Sequence, residues 1–111
     1  MNPEKKNARL ARAGWSVGDA AGFLNLTPEQ SQFVEMKLAL AAGVRGLREK
    51  RGLTQTELAV QLGSSQSRVA KMEAADRSVS IDLLVRSLLA IGAAPTEIAR
   101  LIKRADSKRA P

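Results

Sequence analysis

The chain has 111 residues, the size of one domain, with 18 Lys and Arg against 11 Asp and Glu for a net charge of +7. It contains no Cys, no His and no Tyr, and only two Phe and one Trp. Those absences exclude a zinc finger, a disulfide scaffold, a thiolate nucleophile and an imidazole base, and they leave no aromatic platform for stacking single-stranded RNA.

The excess charge sits at the two ends. Residues 1–15 carry a net +3 and the last twelve carry +4, so the middle balances to zero. Within that middle, 45–77 holds seven basic and four acidic residues. The first fifteen residues lack an apolar core, so no secretory signal is expected, and the apolar run near LALAAGV is too short to cross a bilayer. A cytoplasmic protein without membrane association is the expectation.

In chain order the pattern is helical throughout. Ser16 offers an N-cap for a short helix over about 17–24. Thr27-Pro28-Glu29-Gln30 combines a capping residue, a proline suited to the first helical position and a glutamine closing a capping box. A long helix should follow, with Phe33, Met36, Leu40, Val44 and Leu47 as its apolar stripe and Gly52 as its end. Thr54-Gln55-Thr56-Glu57 forms a second capping box and opens a helix bearing Leu58, Ala59 and Leu62, which Gly63 stops. Ser64 and Ser65 can cap a further short helix with Val69 and Met72. After a polar link at 74–80, Ser80 caps a helix with Ile81, Leu84, Val85, Leu88 and Ile91 on one side, ended by Gly92. Pro95 and Glu97 start the last helix, with Ile98, Leu101 and Ile102 inward. The fold class expected is all-α, a five- to six-helix domain.

The segment TQTELAVQLGSSQSRVAKME is the informative one. Ala59 is small where two helices would cross closely. Gly63 follows four residues later, where the chain must turn with positive φ. Leu58, Leu62, Val69 and Met72 are spaced to meet beneath the crossing. This is helix-turn-helix spacing, whose second helix can enter a DNA major groove about 12 Å wide.

RGLTQTELAVQLGSSQSRVAKMEA resembles the Cro/C1 or XRE-type helix-turn-helix family of phage repressors, plasmid regulators and antitoxins, and the likeness spans about 44 to 92. The preceding GW…FLNLTPEQ…VEMKLAL segment and SSQSRVAKMEA are similar to HigA-type antitoxins, which neutralise a partner toxin and repress their own operon. Two departures stand out: the family usually has Gly where Ala75 stands, and often Pro near Val79, so the link after the second helix is expected to differ in geometry. The resemblance implies a lambda-repressor-like fold. Together with the charge distribution and the apolar periodicity, it divides the chain into a basic, mobile arm over 1–15, an extension with a short helix over 16–33, a helix-turn-helix domain over 34–104 with its motif at 54–73, and a basic tail over 105–111.

What the resemblance implies for function is a dimeric repressor of transcription reading palindromic double-stranded DNA, or an antitoxin for which autorepression is secondary. Gln66, Ser67, Arg68 and Lys71 would face bases: Gln can pair adenine, Lys can donate to guanine, and Ser is permissive. A polar outer face is commonplace on any helix, and it is the motif that turns these four toward DNA. Ser65 at a helix N-terminus, and Arg77 after the helix, are phosphate candidates. Gln55 is either a third or simply a neutral first-turn residue. In the family, the positions of Arg48 and Glu73 commonly form an ion pair between the first helix and the end of the recognition helix. Leu83, Leu89 and Leu101 are the expected dimer contacts, in a pair presenting its recognition helices about 34 Å apart. Trp15 and Phe23 either pin the N-terminal helix or anchor a partner. Neither a nucleophile–base pair nor a Gly-rich phosphate loop is present, so no enzyme, metal or cofactor is expected.

Overall fold

The structure, a computed structural model, describes residues 26–107. The short helix expected at 17–24, Trp15, Phe23 and the basic arm lie outside the described residues, as do the last four positions of the tail. Five helices follow in order: α1 Pro28–Lys50, α2 Gln55–Leu62, α3 Gln66–Glu73, α4 Ile81–Ile91 and α5 Pro95–Ser107, with no strand among the described residues. The protein is all-α.

Each helix begins where local chemistry says it should. Thr27 Oγ1 accepts from the Gln30 backbone N–H at 3.2 Å, while Gln30 Oε1 accepts from Thr27 N–H at 2.9 Å, and Pro28 occupies the first turn. Thr54 and Glu57 repeat the box at α2 with distances of 3.1 and 2.9 Å. Ser65 and Ser80 cap α3 and α4 with their hydroxyl oxygens. At α5 no capping hydroxyl is needed: Glu97 Oε1 accepts from the Ala94 N–H.

The stripe expected on α1 needs correction. Leu40 and Val44 are fully buried, but Phe33 is 56% exposed, and the fully inward set runs through Val34, Lys37, Leu38 and Ala41 instead. From 37 to 41 every residue is buried, because α1 is covered on two faces. One face lies on the core built with Leu58, Val69, Met72, Leu84, Leu88 and Ile91. The other receives α5 through small residues: a Cβ on Gly43 would overlap the Leu101 side chain. Glycine and alanine carry almost no hydrophobic signal, so this second face is silent in an apolar-periodicity reading. The helical body begins at Pro28, where the Thr27 capping box places the start of the long helix. It runs to Ser107, with Ala105 buried against the body.

Candidate DNA-reading surface

Four helices each end on the same kind of hydrogen-bonded turn. At the end of α2, Ser64 N–H donates to Ala59 O at 2.8 Å and Gly63 N–H to Val60 O at 3.1 Å, with Gly63 at φ 65°. This pairing of six-to-one and five-to-two bonds is a Schellman motif, and its left-handed residue is ordinarily glycine. The motif recurs at Gly52 and Gly92, and at the end of α3 it recurs on alanine: Asp76 N–H donates to Lys71 O at 2.9 Å, Ala75 N–H to Met72 O at 3.2 Å, and Ala75 has φ 55°. The departure from glycine at 75 therefore leaves the turn in place but loads it with the left-handed penalty of an L-residue.

Between these two turns lies α3, eight residues long. Val69 and Met72 anchor it in the core, and Ser87 Oγ–H donates to Met72 Sδ at 3.3 Å beneath it. With those two fixed inward, Gln66, Ser67, Arg68 and Lys71 are all exposed. Ser67 and Lys71 point most directly outward on a 3.6-residue helix, while Gln66 and Arg68 lie on opposite flanks. Arg68 shares a groove of about 380 Å³ with Arg86 and Ser87 of α4. Gln66 leans toward α2, where its Nε2 donates to Gln55 Oε1 at 2.7 Å.

Gln55 continues inward, its Nε2 donating to Glu73 Oε1 at 3.2 Å. Glu73 in turn holds Arg48, accepting from Nε at 2.6 Å and from Nη2 at 3.0 Å, and the third guanidinium nitrogen, Nη1, donates to Leu53 O at 2.8 Å. The side chains of this forked pair are only 14% and 5% exposed. The Glu73 hydrogen bond holds the Arg48 pKa above its ordinary value. A relay thus runs from α1 through the end of α3 and the start of α2 to the first residue of the recognition face. It takes up one amide proton of the exposed Gln66, whose carbonyl oxygen and second proton are the two groups a bidentate contact to adenine uses.

Of the phosphate candidates, Ser65 is exposed and its oxygen accepts from Arg68 N–H at 3.1 Å, which leaves its hydroxyl proton to donate outward. Arg77 is exposed in the link beyond α3. Gln55 is half-buried and engaged in the relay through both its polar atoms. Three residues escape the sequence reading. Ala70 and Arg45 line a shallow groove with Arg48, Gln55 and Glu73, and Arg86 faces Arg68 on the other flank. Arg45 pairs with Glu49 at 2.7 Å and Arg86 with Asp82 at 3.7 Å, each four positions away on its own helix.

A family model for a helix-turn-helix domain matches residues 39–101, more than half of the chain. The protein belongs to the helix-turn-helix domain family. No curated protein and no solved structure matches it. The matched span contains α2, α3 and the turn between them, and the family is consistent with the Cro/C1-type likeness of that segment. A helix-turn-helix domain is the architecture of a DNA-binding regulator. No helix among the described residues is long and apolar enough to cross a membrane.

Proposed function

We propose that this protein is a sequence-specific, double-stranded-DNA-binding transcriptional regulator that reads the major groove with α3. The observation carrying the reading is the polar row Gln66, Ser67, Arg68 and Lys71, which stands clear of the core on a helix whose inward residues are fully packed. Gln66 and Lys71 supply base readout, Ser67 tolerates either partner, and Arg68 reaches base or phosphate from its flank. Ser65 and Arg77 hold the backbone, and Gln55 acts mainly by orienting Gln66.

The finer reading is a dimeric repressor on a palindromic operator. Of the three expected contacts, Leu89 is 47% exposed and the most available for pairing, whereas Leu83 and Leu101 already pack partly against their own core. The antitoxin reading draws on the segment ahead of α1, most of which lies outside the described residues, and no observation favours it over plain regulation.

The test is selection of duplex fragments by the pure protein, followed by salt titration against the selected site and a random duplex. The selected site should be preferred at about 0.15 M salt, with log K falling steeply as log salt rises. Lys71→Ala should relax preference at one base pair, a change of about 1–3 kcal/mol. Equal binding of both duplexes by the native protein overturns the proposal.

A further inference from the structure

Beneath the far end of α3 lies a buried cation. Lys37, midway along α1, is 7% exposed, whereas lysine is almost never fully buried without a partner. Its ammonium crosses 39 positions of sequence to donate to the Asp76 backbone carbonyl at 2.9 Å. The same carbonyl accepts the Val79 N–H at 3.0 Å, closing 76–79 as a four-residue turn with Arg77 and Ser78 at its corners. Inside the turn, the Asp76 carboxylate accepts from Ser78 N–H at 2.9 Å and from Ser78 Oγ–H at 2.6 Å.

Burying an ammonium against a carbonyl is a poor way to fill space. Desolvation pushes the Lys37 pKa down, with the Asp76 charge opposing. An apolar side chain of similar volume would cost less. What the ammonium supplies, and a methyl group cannot, is a directional bond to one carbonyl of one turn. That turn follows the strained Ala75 and carries the exposed Arg77.

We infer that Lys37 is the positioning residue for Arg77, fixing from inside the protein the turn through which Arg77 meets the DNA backbone. The inference rests on the DNA-reading function proposed above. It makes Lys37 and Arg77 one functional unit, although only Arg77 touches the nucleic acid.

The experiment compares the native chain, Arg77→Ala, Lys37→Met and the double variant by salt titration against the selected duplex. Arg77→Ala should reduce the slope of log K against log salt by about 0.9, the value of one phosphate contact. Lys37→Met should reduce it by the same amount, and the double variant by no more than either. Lys37→Arg, which keeps a cationic donor, should recover the native slope. Lys37→Gln, whose shorter side chain does not reach Asp76, serves in place of Lys37→Met if that variant loses its native circular dichroism. A purely structural lysine would change stability and leave the slope of the folded protein untouched. A native slope in the folded Lys37 variant, or additive losses in the double variant, overturns the inference while DNA binding stands. Failure of the native chain to prefer its selected duplex removes the underlying function and this role with it.

Discussion

The turn leading into α3 and the turn leading out of it share one hydrogen-bonding motif and are held by different means. The first uses glycine at the left-handed position, is exposed, and has no atom within 4 Å of where a Cβ would stand. Its geometry is dictated by local chemistry: Gly63 for φ and Ser65 for the cap. The second uses Ala75, which is 1% exposed and seated in the core, and it is tied on by Lys37, Ser78 and Val79. An L-residue persists in a costly backbone conformation when its surroundings over-determine it. One side of the recognition helix is therefore specified by its own sequence and the other by the rest of the molecule.

The largest effect should come from cutting what joins the two sides. The Arg48–Glu73 fork ties the last residue of α3 to α1, and Gln55 hands the same carboxylate on to Gln66 at the start of α3. Arg48→Met should cost about 3–5 kcal/mol, because it leaves a nearly buried carboxylate without its cation. Urea denaturation followed by circular dichroism measures this as a lower midpoint at unchanged slope. A loss under about 1 kcal/mol would mean that the relay is ornamental and that the two ends of α3 are independent.

Next in size are the two turns themselves, and their substitutions should have opposite signs. Gly63→Ala meets no steric obstacle, so it isolates the left-handed penalty and should cost about 1–2 kcal/mol. Ala75→Gly relieves the same penalty but removes a buried methyl group worth about 0.8 kcal/mol. The net should be a gain of up to about 1 kcal/mol, read as a rise in thermal midpoint. If Ala75→Gly destabilises instead, packing and not backbone strain governs that turn.

This contrast also explains what was legible in the sequence. Thr27 with Gln30, Thr54 with Glu57, Ser65, Gly63 and Ser80 act over three or four positions, so their roles can be read along the chain. The Gln66–Gln55–Glu73 relay spans 11 and 18 positions and Lys37–Asp76 spans 39, distances over which no spacing rule operates. Gln55 consequently reads in sequence as a surface residue at a helix start, whereas folded it is half-buried and faces Glu73. Lys37 carries no local signal at all: its burial arises only once α1 is covered on two sides. The second covering, by α5, rests on Gly43 and its small neighbours, whose importance lies in what they lack. Ala75 is intermediate, since the family resemblance marks the position as unusual but only the backbone shows that the left-handed turn survives.

The smallest effect concerns the charge inside the second turn. Hydrogen bonds from Ser78 hold the Asp76 carboxyl below the usual aspartate range, and the charges of Lys71 and Lys37 add to the effect. For an acid whose folded pKa is depressed, the stabilisation is complete above the unfolded value, near 3.9. It disappears as pH falls through the lower folded value. Asp76→Asn keeps an oxygen able to accept from Ser78 and removes only the charge, so its cost should be roughly a few tenths of a kcal/mol near neutrality, the scale of an exposed ion pair. That cost should begin to shrink as pH falls below about 4 and vanish only below the depressed folded value, where the native Asp76 is neutral as well. The turn before α3 contains no titrating group, so Gly63→Ala should cost the same at either pH. An Asp76→Asn penalty that persists unchanged into acid would show that shape, not charge, closes the second turn, leaving Lys37 to hold its carbonyl by hydrogen bonding alone.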